Sequence, residues 1–111
     1  MIEIILKQYL ENKLGKTVLL EHENDEPTQF FLIQKTSGGF DNQISSATFA
    51  MQSYADSKYN AALMNVELKK AMLQVIELNE IASVKLNSDY DFTDTESKKY
   101  RYQAVFDINY Y

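Results

Sequence analysis

The side chains that could do chemistry in this 111-residue chain are few. His22 is the only histidine, and it lies between Glu21 and Glu23 in an acidic segment that also holds the only proline. A histidine beside carboxylates can act as a general base or bind a metal ion, although a single histidine in a loop is more often solvated. A zinc site needs several histidine or cysteine ligands, and the chain has no cysteine and no second histidine. We therefore expect a protein that is not an enzyme and that holds no cofactor and no metal.

Two groups of acidic residues could bind a hard cation such as calcium. They comprise Glu21, Glu23, Asp25 and Glu26 beside the proline, and Asp89, Asp91 and Asp94 in the second half of the chain. Neither group has the glycine and the terminal glutamate of a calcium-binding loop. Acidic runs are usually solvated, so two solvated loops are the better interpretation.

Basic and aromatic residues are interleaved in one segment, Lys98-Lys99-Tyr100-Arg101-Tyr102. Such a segment could bind single-stranded nucleic acid. Its aromatic residues, however, belong to the apolar face of a predicted strand and should point into the core. Arg101, the only arginine, then points the other way, where a planar guanidinium suits a buried or interfacial ion pair. The net charge of −5 also disfavours a free-standing nucleic-acid binder, whose affinity comes largely from neutralising phosphates.

Hydrophobic periodicity predicts the elements that position these side chains. Apolar residues at helical spacing indicate a first helix over residues 2–14, and Gly15 is placed to end it. Strands are then predicted over residues 17–20, 29–36 and 43–54. The glycine pair Gly38-Gly39 lacks the lysine and the following helix of a phosphate-binding loop, so it predicts a hairpin turn.

A long central helix is predicted over residues 56–78, with Asp56 or Ser57 as its N-cap. One broad apolar stripe should face the core and comprises Ala61, Met64, Leu68, Ala71, Met72, Val75 and Leu78. A second apolar set lies roughly opposite and comprises Tyr59, Ala62, Leu63, Val66 and Leu73. It is interrupted there by Lys70, Gln74 and Glu77. A helix with two such stripes can pack on two things at once, and the second is either the N-terminal helix or another subunit.

Two segments of alternating residues follow this helix. In the first, Val84, Leu86, Ser88, Tyr90 and Phe92 share one face, and in the second, Tyr100, Tyr102, Ala104, Phe106, Ile108 and Tyr110 do so. Joined by a polar turn over residues 93–99, they predict an antiparallel hairpin. The predicted fold class is α+β in the order α-β-β-β-α-β-β, with a mixed or antiparallel sheet packed by the long central helix and the N-terminal helix. The pattern leaves open whether the third and fourth strands are parallel neighbours.

Length and composition indicate a single domain spanning residues 1–111. Hydrophobic residues make up 45% and charged residues 24%, which is typical of a globular protein with one core. Charge interrupts the N-terminus too early for a signal peptide, and no apolar run approaches the roughly 20 residues that a membrane span needs. We therefore expect a cytoplasmic protein with no membrane partner.

Two stretches resemble a known family. They are Ala47-Thr-Phe-Ala-Met-Gln-Ser-Tyr-Ala-Asp-Ser-Lys-Tyr-Asn-Ala-Ala62, which passes from strand to helix, and the closing hairpin with Asp89-Tyr-Asp-Phe-Thr-Asp94 and Tyr100-Arg-Tyr-Gln103. These stretches, together with the order of elements along nearly the whole chain, are similar to the tail terminator (tail completion) proteins of long-tailed bacteriophages and prophages, the family of the phage lambda U protein.

The resemblance implies a structural virion protein. Such a protein forms a ring, a hexamer in this family, that stops growth of the tail tube and joins the tube protein to the head connector protein. DNA passes through the lumen without sequence-specific binding, and the protein enters the virion tail after assembly in the host bacterial cytoplasm. Under this hypothesis, subunits meet through the sheet edges and through Tyr59, Leu63, Val66, Leu73 and Arg101.

Two alternative functions stay open. The nearer one is another head–tail connector, such as a stopper or neck protein, which shares a small α+β architecture. The farther one is a small acidic ligand- or metal-binding domain that uses His22 and the acidic residues around it.

Overall fold

A computed structural model of the protein describes residues 1–97 and 99–111. In these residues the chain forms two α-helices and five strands: α1 (Ile2–Leu14), β1 (Val18–Leu19), β2 (Phe30–Asp41), β3 (Ile44–Ala55), α2 (Lys58–Leu73), β4 (Ile81–Asp91) and β5 (Tyr100–Tyr110). A short 3-10 helix, Val75–Glu77, follows α2. The predicted α+β class and the predicted order of elements are confirmed.

The five strands form one mixed sheet in the order β1-β2-β3-β5-β4. β1 pairs with β2 in parallel, and the other neighbouring pairs are antiparallel. Because β5 lies between β3 and β4, the two strands that α2 connects are not neighbours. This answers the question that the sequence left open.

Both helices pack on one face of the sheet, which we call the helix-side face. Its core comprises Leu6 and Leu10 of α1, Leu68 and Met72 of α2, and Phe31, Phe49 and Phe106 of the strands, all fully buried. The opposite face carries no helix of the described residues, and we call it the helix-free face. A smaller buried cluster of Leu19, Phe30, Leu32 and Tyr54 lies there.

The helix ends follow local signals, with one exception. Gly15 adopts the left-handed conformation (φ 64°) and ends α1, as predicted. The Ser57 side chain accepts a hydrogen bond from the Asn60 N–H and begins α2. The predicted end of α2 at residue 78 is wrong, because the α-helix stops at Leu73. The β-branched pair Val75-Ile76 follows, and such residues lose side-chain freedom in an α-helix.

The predicted hairpin turn at Gly38-Gly39 is also wrong. Both glycines lie inside β2, and the turn is the two-residue loop Asn42-Gln43, whose φ angles are 50° and 65°. Positive φ at both positions belongs to the turn whose twist matches the strands, and asparagine tolerates it well. The hairpin is therefore longer than predicted. Residues 34–44 are all exposed, and this part of the hairpin projects from the body as an arm.

A bulge at Asn87 reverses the faces of β4. Val84 and Leu86 lie on the helix-side face, but the register shifts between Leu86 and Ser88. Beyond that shift Tyr90 pairs with Gln103 and lies on the helix-free face. The prediction that the alternating residues of the strand share one face is therefore wrong beyond Leu86, since one extra residue turns every following side chain over.

Candidate assembly surfaces

The second apolar set of α2 is exposed. Tyr59, Leu63, Val66 and Leu73, which we call the outer stripe, have exposed fractions of 72%, 44%, 43% and 58%. At 100° per residue these four side chains fall within one face of the helix. They form an apolar surface that Lys70 interrupts between Val66 and Leu73 and that nothing in the described chain covers. Ile76, in the following 3-10 helix, is 49% exposed and was not predicted, because the helix was expected to continue through it.

The other side of α2 fixes the orientation of the outer stripe. Met64, Leu68 and Met72 are buried against the sheet. Two ion pairs then connect the helix to β4: the Lys58 ammonium lies 2.9 Å from Asp91, and the Lys69 ammonium lies 2.8 Å from Asp89. Hydrogen bonds from Thr93, and to a smaller extent from Lys58, lower the pKa of Asp91 to about 2. The outer stripe therefore faces away from the sheet, and another chain could contact it without disturbing the packing of α2 on the sheet.

The N-terminal helix does not cover the outer stripe, so that alternative is wrong. α1 lies along a different flank of α2, where the Tyr9 hydroxyl donates to the Ala71 carbonyl at 2.8 Å. Burial, and then the nearby charge of Glu77, raise the pKa of Tyr9. A surface ion pair between Lys16 and Glu67 (3.4 Å) lies on the same flank.

Two sheet edges have no neighbouring strand within residues 1–97 and 99–111. One is the arm part of β2, because the pairing with β1 ends at Leu32. The other is β4, which pairs only with β5. β4 carries the charged residues Lys85, Asp89 and Asp91 and two register shifts, which discourage strand addition. The arm carries no charged residue from Thr36 to Phe40. Its edge is therefore the one of the two that better permits the addition of another strand.

Arg101 lies apart from the outer stripe. It pairs with Tyr54 across β3 and β5, and its side chain extends over the helix-free face. Its Nε donates to the Phe92 carbonyl at 2.7 Å and its Nη1 donates to the Tyr54 hydroxyl at 3.0 Å. The structure therefore does not bring the five predicted interface residues together: four share one surface, and the fifth lies on the opposite layer. Lys98 of the basic segment lies outside the described residues.

The acidic segment is attached to the helix-free face through His22. Its Nδ1 lies 2.7 Å from Glu26, and its Nε2 lies 3.4 Å from the Tyr54 hydroxyl. Burial opposes the charge of Glu26, but hydrogen bonds from the Glu23 N–H and from His22 outweigh it and lower the pKa of Glu26. The histidine ring also meets Phe30 and Tyr54 edge-on. Sequence reasoning missed this contact, because only the strand pairing brings Tyr54 to His22.

The acidic residues do not gather around a common point. Within residues 1–97 and 99–111, no three His, Asp or Glu side chains form a group that could hold a metal ion. Asp89 and Asp91 lie in β4 rather than in a loop, and both pair with lysines of α2. Asp94 accepts hydrogen bonds from the Ser97 hydroxyl and from the Glu96 N–H, which lower its pKa.

No protein-family model and no curated protein matches this chain. Neither α1 nor α2 has the length and apolar character that a helix needs to cross a membrane.

Proposed function

We propose that the protein is a ring-forming tail terminator of a long-tailed bacteriophage or prophage, which caps the tail tube and joins it to the head connector. The observation that carries this proposal is the outer stripe, an apolar surface held on a rigid helix and left uncovered. Apolar patches of this kind on a small protein commonly mark contacts with another chain. The resemblance of residues 47–62 and of the closing hairpin to the terminator family supplies the identity of the assembly.

Subunits of the proposed ring meet through the outer stripe and the sheet edges. A contact between two different surfaces of the same chain repeats from copy to copy, and it closes into a ring when the rotation allows. The arm edge of β2 and the outer stripe belong to different parts of the molecule, as such a contact requires. A net charge of −5 per copy fits a lumen through which DNA slides, since acidic walls repel phosphates.

Sedimentation of the purified protein, alone and with tail-tube protein, tests the proposal. We expect rings for the natural chain and monomers for Leu63→Asp, because a charge cannot be buried in an apolar contact without a partner. Ile4→Asp is the matched control: Ile4 is 36% exposed on α1, away from the outer stripe, and this variant should still assemble. Both variants should keep the circular dichroism of the natural protein.

Two results would contradict the proposal. One is a natural chain that stays monomeric even with tail-tube protein present. The other is unfolding of Leu63→Asp, which would show that the stripe belongs to the core. Binding partners distinguish a terminator from another connector: a terminator should sediment with isolated tails, whereas a stopper or neck protein should sediment with tailless heads.

A further inference from the structure

The guanidinium of Arg101 is fixed on one side and free on the other. Its Nε and Nη1 donate to the Phe92 carbonyl and to the Tyr54 hydroxyl. Its central carbon lies 4.5 Å from the centre of the Phe92 ring and 5.8 Å from that of the Tyr54 ring. Two hydrogen bonds and a stacked ring hold the planar group in place, so a ligand would find it already oriented.

No carboxylate lies within 4.0 Å of Arg101 among the described residues. The acidic side chains at this end of the sheet make their hydrogen bonds and ion pairs elsewhere: Asp91 with Lys58, Asp94 with Ser97, and Glu26 with His22. Asp94 is near enough for the charge of Arg101 to contribute, after its hydrogen bonds, to its lowered pKa, but it does not bond the guanidinium. Nη2 makes no hydrogen bond within the same set of residues. A half-buried cation with free N–H groups therefore remains, and a charge in such a position gains from an anionic partner.

The surroundings of Arg101 favour a carboxylate over a phosphate. The free N–H groups of one guanidinium match the two oxygens of a planar carboxylate. The net charge of −5 and the nearby Asp94 repel a dianionic phosphate about twice as strongly as a singly charged carboxylate. Beside the guanidinium, Phe92 and Tyr90 are 38% and 42% exposed. Their rings pack edge-to-face, with 5.9 Å between the ring centroids. This apolar wall suits a carboxylate carried on an apolar or aromatic group.

We propose that Arg101, Phe92 and Tyr90 form a binding site for a carboxylate attached to an apolar or aromatic group. The carboxylate comes from a small molecule or from an acidic side chain of another protein chain, and the recognition chemistry is the same for both. Benzoate binding to this site does not require the proposed ring, because the site lies on the helix-free face and the outer stripe lies on the helix layer.

The single arginine gives a direct test. Labelling arginine with ¹⁵N produces one Nε–H signal in the NMR spectrum, and benzoate at constant ionic strength should shift it to saturation. Benzamide has nearly the same shape without the charge, and its affinity should be lower than that of benzoate by about tenfold or more. Phe92→Ala should weaken benzoate binding roughly three- to tenfold, through loss of the stacked ring. Lys85→Gln removes another exposed cation of the same face and should leave binding unchanged.

Three results would overturn the proposal. They are a shift that rises without saturating, equal binding of benzamide and benzoate, or benzoate binding that survives in Arg101→Lys. Binding to that variant is followed through the backbone amides of Phe92 and Gln103, and circular dichroism verifies its fold. Sedimentation with benzoate then identifies the source: dissociation of an oligomer indicates that a protein carboxylate occupies the site, and an unchanged oligomer indicates a small molecule. Both of these outcomes support the site itself.

Discussion

The two faces of the sheet are stabilised in different ways. On the helix-side face, Phe49 and Phe106 are fully buried beneath two helices. On the helix-free face, hydrogen-bonding contacts connect side chains in the order Glu26, His22, Tyr54, Gln52, Gln103 and Tyr90. Exclusion of water stabilises the first face, whereas the second adds polar contacts near the surface to its smaller buried cluster of Leu19, Phe30, Leu32 and Tyr54.

Two aromatic residues show what the difference means. Phe106 is buried and contributes only packing, whereas Tyr54 is also buried (5% exposed) but stacks on Phe30 and engages Gln52 and Arg101 through its hydroxyl. Similar burial therefore serves different purposes on the two faces. The helix-free face keeps oriented polar groups near the surface, where a ligand can reach them, whereas the charged groups at the margin of the helix-side face pair with one another, as in Lys58–Asp91 and Lys69–Asp89.

Truncation of one phenylalanine on each face should show the largest contrast. Phe106→Ala leaves a cavity in the core and should lower the free energy of unfolding by about 4 kcal/mol. Phe92→Ala removes a ring that is 38% exposed and stacks on Arg101, and it should cost about 1 kcal/mol. Urea unfolding followed by circular dichroism measures both. Equal losses would mean that the helix-free face is a second core rather than a solvated surface.

The elements of the fold were predictable where their signals are local. Gly15 and Ser57 mark helix ends within one turn of chain, and both predictions are confirmed. The bulge at Asn87 leaves no such mark, because Ser88, Tyr90 and Phe92 continue the alternating pattern straight through it. The turn predicted at Gly38-Gly39 was wrong for a related reason. Glycine permits a turn, but the pairing of the two strands along the whole hairpin determines where the turn lies.

The candidate surfaces were predictable to different degrees for the same physical reason. The outer stripe repeats with the helix period, so sequence alone identifies its members. The surroundings of Arg101 come from residues far apart in sequence: Tyr54 lies 47 positions earlier. Phe92 reaches the same face only because of the bulge. Sequence periodicity cannot register contacts that depend on strand order and on a register shift.

A smaller contrast separates two buried tyrosine hydroxyls. Tyr54→Phe removes a donor from Gln52 and an acceptor from Arg101, so it should cost about 2 kcal/mol. Tyr9→Phe leaves the Ala71 carbonyl with its hydrogen bond from the Gln74 N–H, and it should cost about 1 kcal/mol or less. Urea unfolding of the two variants measures the difference. A larger loss for Tyr9→Phe would contradict the view that hydrogen bonds matter more on the helix-free face.

The smallest expected contrast concerns two carboxylates, one on each face. On the helix-side face, hydrogen bonds from Thr93 and then Lys58 lower the pKa of Asp91 to about 2. On the helix-free face, hydrogen bonds from Asn87 and then Thr48 lower the pKa of Asp107. A lowered pKa stabilises the folded state above the ordinary value near 4, and this stabilisation is lost as the pH falls through the folded-state value.

Asp91→Asn and Asp107→Asn should each lower the free energy of unfolding by less than about 1 kcal/mol near pH 6, because solvent screens both sites. Each difference from the natural chain should shrink as the pH falls below about 4, and for Asp91 it should vanish only below about pH 2. About 1 M NaCl should reduce the Asp91 difference, since the Lys58 ammonium is screened. The Asp107 difference should change little, because its chief donors are neutral. Equal salt sensitivity in urea unfolding would show that charge contributes alike on both faces, and the contrast between an ion-paired helix layer and a neutral polar sheet surface would then be wrong.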